Sequence, residues 1–255
     1  MEGNYFICID GPIGVGKTYI YKILVDLLRE KYGERLFLIP EYIDGDQAET
    51  AHYLLQEYLA GNLTNDVFQS WIQNYYIRML TEVSKYKGKI VLMERCMSDS
   101  VAIFSNMANM KDNDQRNPNA LTDFKFLLLY EDCIRIDEAA GAPNYFKKNG
   151  LLKRLETSDE RQTIPEIMKT IEDDLAQGNQ RRIIGLYNTP EICFERCRQR
   201  SRKGEDGYTF ESIKGFCDMY ERLYKLIEDK SSPVIRYQEL GYLTKDLVKS
   251  NDKKE

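Results

Sequence analysis

The stretch "GPIGVGKT", Gly11 to Thr18, matches G-x-x-x-x-G-K-[ST], directly after the apolar run "YFICID" and directly before a helix-periodic segment. A loop of this kind holds a nucleoside triphosphate. Its glycines let main-chain N–H groups wrap the phosphates at a helix N-terminus, Lys17 reaches the outer phosphates as a point charge, and the Thr18 hydroxyl can ligate Mg2+. Gly11, Ile13, Gly14, Val15, Gly16, Lys17, Thr18 and Tyr19 are therefore the expected contacts to ATP or GTP.

Three further groups carry chemistry. "IPEY" ends a predicted strand and places Glu41 at the carboxyl edge of a sheet, where open α/β folds bind ligands. A neutral alcohol must lose its proton during phosphoryl transfer, and a positioned Glu can take it. An acceptor that is already a phosphate would be repelled by Glu41 and would need cations, yet no Lys or Arg flanks that residue along the chain. "MERC" brings Glu94 and Arg95 to the same edge, an acid for a metal beside a cation for a phosphate. Finally, "ERCRQRSRKGEDG" sets Arg at 196, 198, 200 and 202 and Lys at 203. If that segment is helical, Arg196, Arg200 and Lys203 share one face, while Arg198 and Arg202 point elsewhere.

The elements that position these groups alternate along the chain. "YFICID" at 5–10, "RLFLIP" at 35–40, "KIVLME" at 89–94, "RRIIGLY" at 181–187 and "SPVIRY" at 232–237 read as strands. Helix-sized segments separate them, the first with Ile20, Ile23, Leu24, Leu27 and Leu28 at helical spacing and Gly33 at its end. The expected fold is α/β, a five-stranded parallel sheet with helices on both faces. The segment "KDNDQRNPNALTD" reads as a polar loop, "DEAAGAPNYFKKNG" as a stretch broken by Gly and Pro, and "TIPEIMKTIEDDLAQGN" as a helix.

Composition sets the limits. The chain has 255 residues, 42% hydrophobic and 30% charged, which suits one globular domain over about 1–248, with a disordered tail at 249–255. A formal net charge of -5 argues against a general nucleic-acid binder, so the basic stretch is a local feature. Six cysteines without a C-x-x-C and a lone histidine, His52, give poor support to zinc clusters or a Cys/His nucleophile. Apolar runs such as "IVLM" at 90–93 fall short of a membrane span, and the N-terminus reads as neither signal peptide nor presequence, so a cytoplasmic location is expected.

In order and spacing the chain resembles the deoxyribonucleoside kinase family, which includes thymidine kinases of the herpesvirus type. The resemblance rests on "GPIGVGKT", "PE" after the second strand, "EY" at 57–58 with "FQSW" at 68–71, "ERC" after the third strand and the Arg-rich "RCRQRSRKGEDG". It implies that Glu41 deprotonates a 5'-hydroxyl, that Arg95 steadies that oxygen and the migrating phosphoryl group, and that Glu94 helps Thr18 hold Mg2+. It also implies that Gln69 reads the base, Phe104 stacks on it, and Tyr58 and Glu205 grip the 3'-hydroxyl. The Arg-rich segment, about 196–207, would be a lid closing on ATP with Arg196, Arg200 and Arg202. A small deoxynucleoside partner and a homodimer are implied as well.

The chain departs from the family pattern at Cys96 and Tyr42, and about 111–180 forms an elongated insert. Ile72, Tyr76 and Ser100 line a mostly apolar wall without the charges of deoxycytidine- or purine-preferring members, which points to thymidine or deoxyuridine. Two alternatives remain: a nucleoside monophosphate kinase such as thymidylate kinase, and a catalytically silent kinase-like subunit. A P-loop switch protein would need a guanine-reading N-K-x-D, which is missing.

Overall fold

The computed structural model describes residues 3–106, 123–146, 152–200, 205, 207–229, 235 and 237–240. Strand β1 (Tyr5–Asp10) leads through the glycine-rich loop into α1 (Lys17–Tyr32), followed by β2 (Leu36–Ile39), α2 (Ala48–Leu59), α3 (Asn65–Val83) and β3 (Ile90–Glu94). A helical turn at Met97–Asp99 runs into a wider turn at Ser100–Ser105. Next come α4 (Asp123–Ala140), β4 (Leu152–Glu156), α5 (Glu160–Gln177), β5 (Arg181–Tyr187), α6 (Pro190–Arg200) and α7 (Phe210–Glu228).

The five strands form one sheet in the order β2-β3-β1-β5-β4, every pairing parallel. β1 and β3 are buried along their whole length, as expected of central strands covered on both faces. Parallel register brings Ile9 opposite Glu94 and Asp10 opposite Gly185, so the residues after β1 and β3 emerge side by side at one edge. In α1, Ile20, Leu24 and Leu28 are buried at the predicted spacing, and Gly33 caps the end with φ 55°.

One predicted strand is displaced. The fifth strand is "LKRLE", Leu152–Glu156, not "SPVIRY". Of 232–237, Ile235 donates its N–H to the Phe146 carbonyl at 2.8 Å and Tyr237 opens a helical turn, Tyr237–Leu240; the rest lies outside the described residues. The polar look of "LKRLE" has a physical cause. Lys153 pairs with Glu166 of α5 at 3.0 Å, whereas Arg154 pairs with Glu221 and Glu228 of α7, so successive side chains on this edge strand find carboxylates on different covering helices. "DEAA" is likewise helical up to a break at Gly141, φ 72°, where the sequence suggested an irregular stretch from Asp137 onward. Residues 111–122, Arg202, Lys203 and the tail 249–255 lie outside the described residues.

Candidate active site

The glycine-rich loop curls over the end of β1, with Gly14 at φ 80° and Gly16 at φ 108°. Gly14 has a second constraint: a Cβ there would stand 2.0 Å from the Cys193 carbonyl of α6, so the loop and the helix touch backbone to backbone. Lys17, buried at the first turn of α1, donates to the carbonyls of Gly11 at 3.0 Å and Pro12 at 2.9 Å. Burial first, then repulsion from Arg95, lowers its ammonium to about 8. A cavity of about 280 Å3 opens at this loop, lined by Gly14, Gly16, Lys17, Thr18, Arg196 and Arg200 among others. Tyr19, half exposed, and the buried Val15 also line it, whereas Gly11 and Ile13 are buried and are not among its lining residues.

Arg196 and Arg200 project from α6 as the helical reading expected. Arg196 bonds the Val15 carbonyl at 2.8 Å and both the hydroxyl and carbonyl of Thr157 at 3.2 Å. Arg200 forms a two-pronged ion pair with Glu205 at 2.7 and 2.5 Å. Thr157 was not anticipated. It follows β4, and its hydroxyl donates to the Val15 carbonyl at 2.8 Å, tying the unexpected edge strand to the phosphate loop.

A second buried cluster is built around Arg95. This residue leaves β3 with φ 63°, a left-handed conformation that a non-glycine residue adopts at a strain of roughly 1–2 kcal/mol. The twist turns its guanidinium back under the loop. Nε donates to Glu41 Oε1 at 2.7 Å, Nη1 donates to the Gly11 carbonyl at 3.1 Å and to the Tyr220 hydroxyl at 2.5 Å, and Asp10 lies 3.6 Å away. Glu41 is itself buried, and the chain Glu41, Arg95, Gly11 carbonyl, Lys17 joins it to the nucleotide loop. The absence of a cation beside Glu41 holds only along the chain; in space Arg95 is bound to it.

Glu94 accepts the Thr18 hydroxyl at 2.7 Å through Oε1, and its other oxygen is buried with no hydrogen-bond partner. Burial, then repulsion from Glu41, pushes its carboxyl up to about 7. Oxygens of Glu41, Asp44 and Glu94 lie within 4.8 Å of one another, a hard-oxygen set suited to Mg2+.

Of the residues expected to meet a nucleoside, Phe104 and Tyr76 touch the Glu94 and Arg95 pair. Tyr58 stacks on Phe68 at 4.9 Å between centroids, and Phe104 packs on Phe216 with its ring 5.0 Å from the Arg95 guanidinium. Tyr76 donates to the Glu94 carbonyl at 3.1 Å and Ser100 to the Met97 carbonyl at 2.8 Å; Ile72 is buried on α3 with Tyr76. Gln69 gives one N–H to Asn65 at 3.3 Å, leaving its own oxygen buried without a partner. Glu205, expected at the sugar, is engaged by Arg200 in this structure.

Sequence reasoning also missed Asp10, Asp99 and Tyr220. An acid closing the apolar run "YFICID" was a visible signal for Asp10; nothing local marks Tyr220, which meets Arg95 from α7. Residues 7–127 match the model of the deoxynucleoside kinase family. Over that stretch, a little under half of its length, the chain is similar to the deoxynucleoside kinase family. The match spans the loop, Glu41, Gln69, the Glu94 and Arg95 pair and Phe104, and stops before β4, α6 and α7. No individual curated protein matches the chain at a significant level. Among the described residues no helix is long and apolar enough to cross a membrane.

Proposed function

We propose that this chain is a deoxynucleoside kinase that transfers the γ-phosphoryl group of ATP to the 5'-hydroxyl of a deoxyribonucleoside, thymidine or deoxyuridine before deoxycytidine. The observation that carries the reading is the buried Glu41 held on Arg95 beside the nucleotide loop. Glu41 accepts the hydroxyl proton while Arg95 keeps the carboxylate aimed and faces the migrating group. Lys17, Arg196 and Arg200 meet the triphosphate, and Arg202 and Glu205 belong to the same lid. The Thr18 hydroxyl and the free Glu94 oxygen would hold Mg2+, which when bound neutralises charge on the phosphate oxygens. Gln69 and Phe104 receive the base, Tyr58 the sugar, and the mostly apolar character of Ile72, Tyr76 and Ser100 favours a methyl-bearing base over a charged contact. A single domain, a homodimer, a cytoplasmic location and no nucleic-acid partner complete the proposal.

Charge balance argues against a monophosphate acceptor. The positive charge of Arg95 is already met by Glu41 and Asp10, so little net cation remains for a second phosphate. The test is ADP release with the four deoxynucleosides, the matching ribonucleosides and thymidine monophosphate. Turnover is expected with deoxynucleosides, thymidine foremost. Turnover of the monophosphate alone would replace the proposal with a monophosphate kinase, and ATP binding without any turnover would leave a silent subunit.

A further inference from the structure

Behind Arg95, on the side away from Glu41, lies a buried group that the proposed chemistry does not use. The Tyr220 hydroxyl of α7 lies 3.2 Å from Asp10 Oδ1 and 3.1 Å from Asp99 Oδ1, while it accepts Arg95 Nη1 at 2.5 Å. All four side chains are at most 4% exposed. The Gly11 N–H donates to Asp10 at 2.7 Å and the Cys96 N–H to Asp99 at 3.0 Å. A phenol has one proton and can donate to only one of the two carboxylates. A proton on one aspartate would let both approaches be hydrogen bonds. Burial, followed by the facing Asp99, raises Asp10 well above the usual carboxylate range, which agrees with one proton shared by the pair. The pair then carries one negative charge against one on Arg95. Asp10, Cys96 and Asp99 also have the spacing of a metal site, but the guanidinium 3.6 Å from Asp10 already supplies the cation.

We propose that Tyr220 is the positioning residue for Arg95: its hydroxyl, anchored on the Asp10 and Asp99 pair, fixes the guanidinium against Glu41. This rests on the reading of Glu41 as the proton acceptor. Arg95 has a left-handed backbone and a long side chain with several rotamers, so its β3 neighbours alone do not settle where the guanidinium points. One Nη1 contact is a loop carbonyl; the other is Tyr220, from an element outside the sheet. Misplacing a reacting group by about 1 Å can cost on the order of 100-fold in rate.

The experiment compares Tyr220→Phe with Tyr224→Phe, a neighbour on α7 whose buried hydroxyl has no partner. Tyr220→Phe is expected to lower kcat by roughly 10- to 100-fold with KM for ATP within about twofold, whereas Tyr224→Phe leaves turnover unchanged. In an Arg95→Lys background the Tyr220→Phe loss should disappear, because the group it positions is gone. Asp99→Asn, which leaves Arg95 and Tyr220 in place but removes one carboxylate of the anchoring pair, should lower kcat in the same direction and keeps the test alive if the Phe variant does not fold. A readout free of substrate is nitrogen NMR of the arginine side chains. The two Nη signals of Arg95 should be resolved in the wild type and merge in Tyr220→Phe. Full turnover in Tyr220→Phe, or a loss that multiplies with Arg95→Lys, overturns the proposal, as do unchanged Nη signals. A protein that turns over no nucleoside but whose Arg95 signals still merge would remove the kinase reading and leave the positioning of Arg95 standing.

Discussion

Glu41→Gln separates proton transfer from architecture. The amide can still accept the Arg95 Nε–H across the observed 2.7 Å, and Arg95 keeps Asp10 at 3.6 Å, so the guanidinium is not stranded. Turning a charge-assisted hydrogen bond into a neutral one should destabilise the fold by about 1 kcal/mol, a melting shift of roughly 2–4 °C for a chain this long. Glu41→Ala would instead leave buried Arg95 without that acceptor, at about 3–5 kcal/mol. Catalysis responds on a different scale. A positioned general base is worth about 100- to 10,000-fold, or roughly 3–5 kcal/mol of barrier. Single-turnover transfer from ATP to thymidine should fall by about 1,000-fold in the Gln variant, with ATP affinity within about threefold of the wild type. A Gln variant that is folded and transfers within about tenfold of the wild type would refute the assignment of the proton to Glu41.

Glu94 gives a pH signature. Its folded carboxyl titrates at about 7 against an ordinary 4.5, so the folded chain holds that proton more tightly than the unfolded one. The folded state is favoured below the unfolded value and loses up to roughly 3 kcal/mol as pH rises through 4.5 to about 7. Without Mg2+, Glu94→Gln should therefore unfold at higher denaturant than the wild type at about pH 8 and match it in acid; a gap constant with pH would contradict this. Thr157→Val removes the hydroxyl shared by Val15 and Arg196, and calorimetry should show ATP bound about 5- to 20-fold more weakly, an unchanged affinity counting against the role of β4. Gly14→Ala places a Cβ 2.0 Å from the Cys193 carbonyl at a positive φ, so ATP binding should vanish together with at least about 3 kcal/mol of stability; a wild-type melting curve would show that α6 can yield.

What the sequence made legible was local. "GPIGVGKT" is contiguous, and the ends of β2 and β3 put Glu41, Glu94 and Arg95 at one edge because parallel strands expose their carboxyl ends together. The helical face of Arg196 and Arg200 followed from spacing alone. What stayed hidden came from pairings across the chain. "LKRLE" gave no strand signal because its Lys and Arg are neutralised by acids on α5 and α7, which no local window contains. "SPVIRY" looked like a strand because β-branched residues suit any half-buried extended segment. Tyr220 reaches Arg95 across a sequence separation of 125, and Thr157 reaches Val15 across 142. Asp99 was passed over for the same reason: its partner Tyr220 lies 121 residues away.

The backbone at Arg95 would be most at ease with glycine, yet nothing smaller than arginine could span from β3 to Glu41, Tyr220 and the Gly11 carbonyl. Selection for a sturdier protein and selection for a working one therefore pull this position in opposite directions. Libraries screened only for heat resistance should drift towards Gly or Asn here and come back inert, whereas those screened for turnover should retain the arginine and gather their stabilising changes elsewhere.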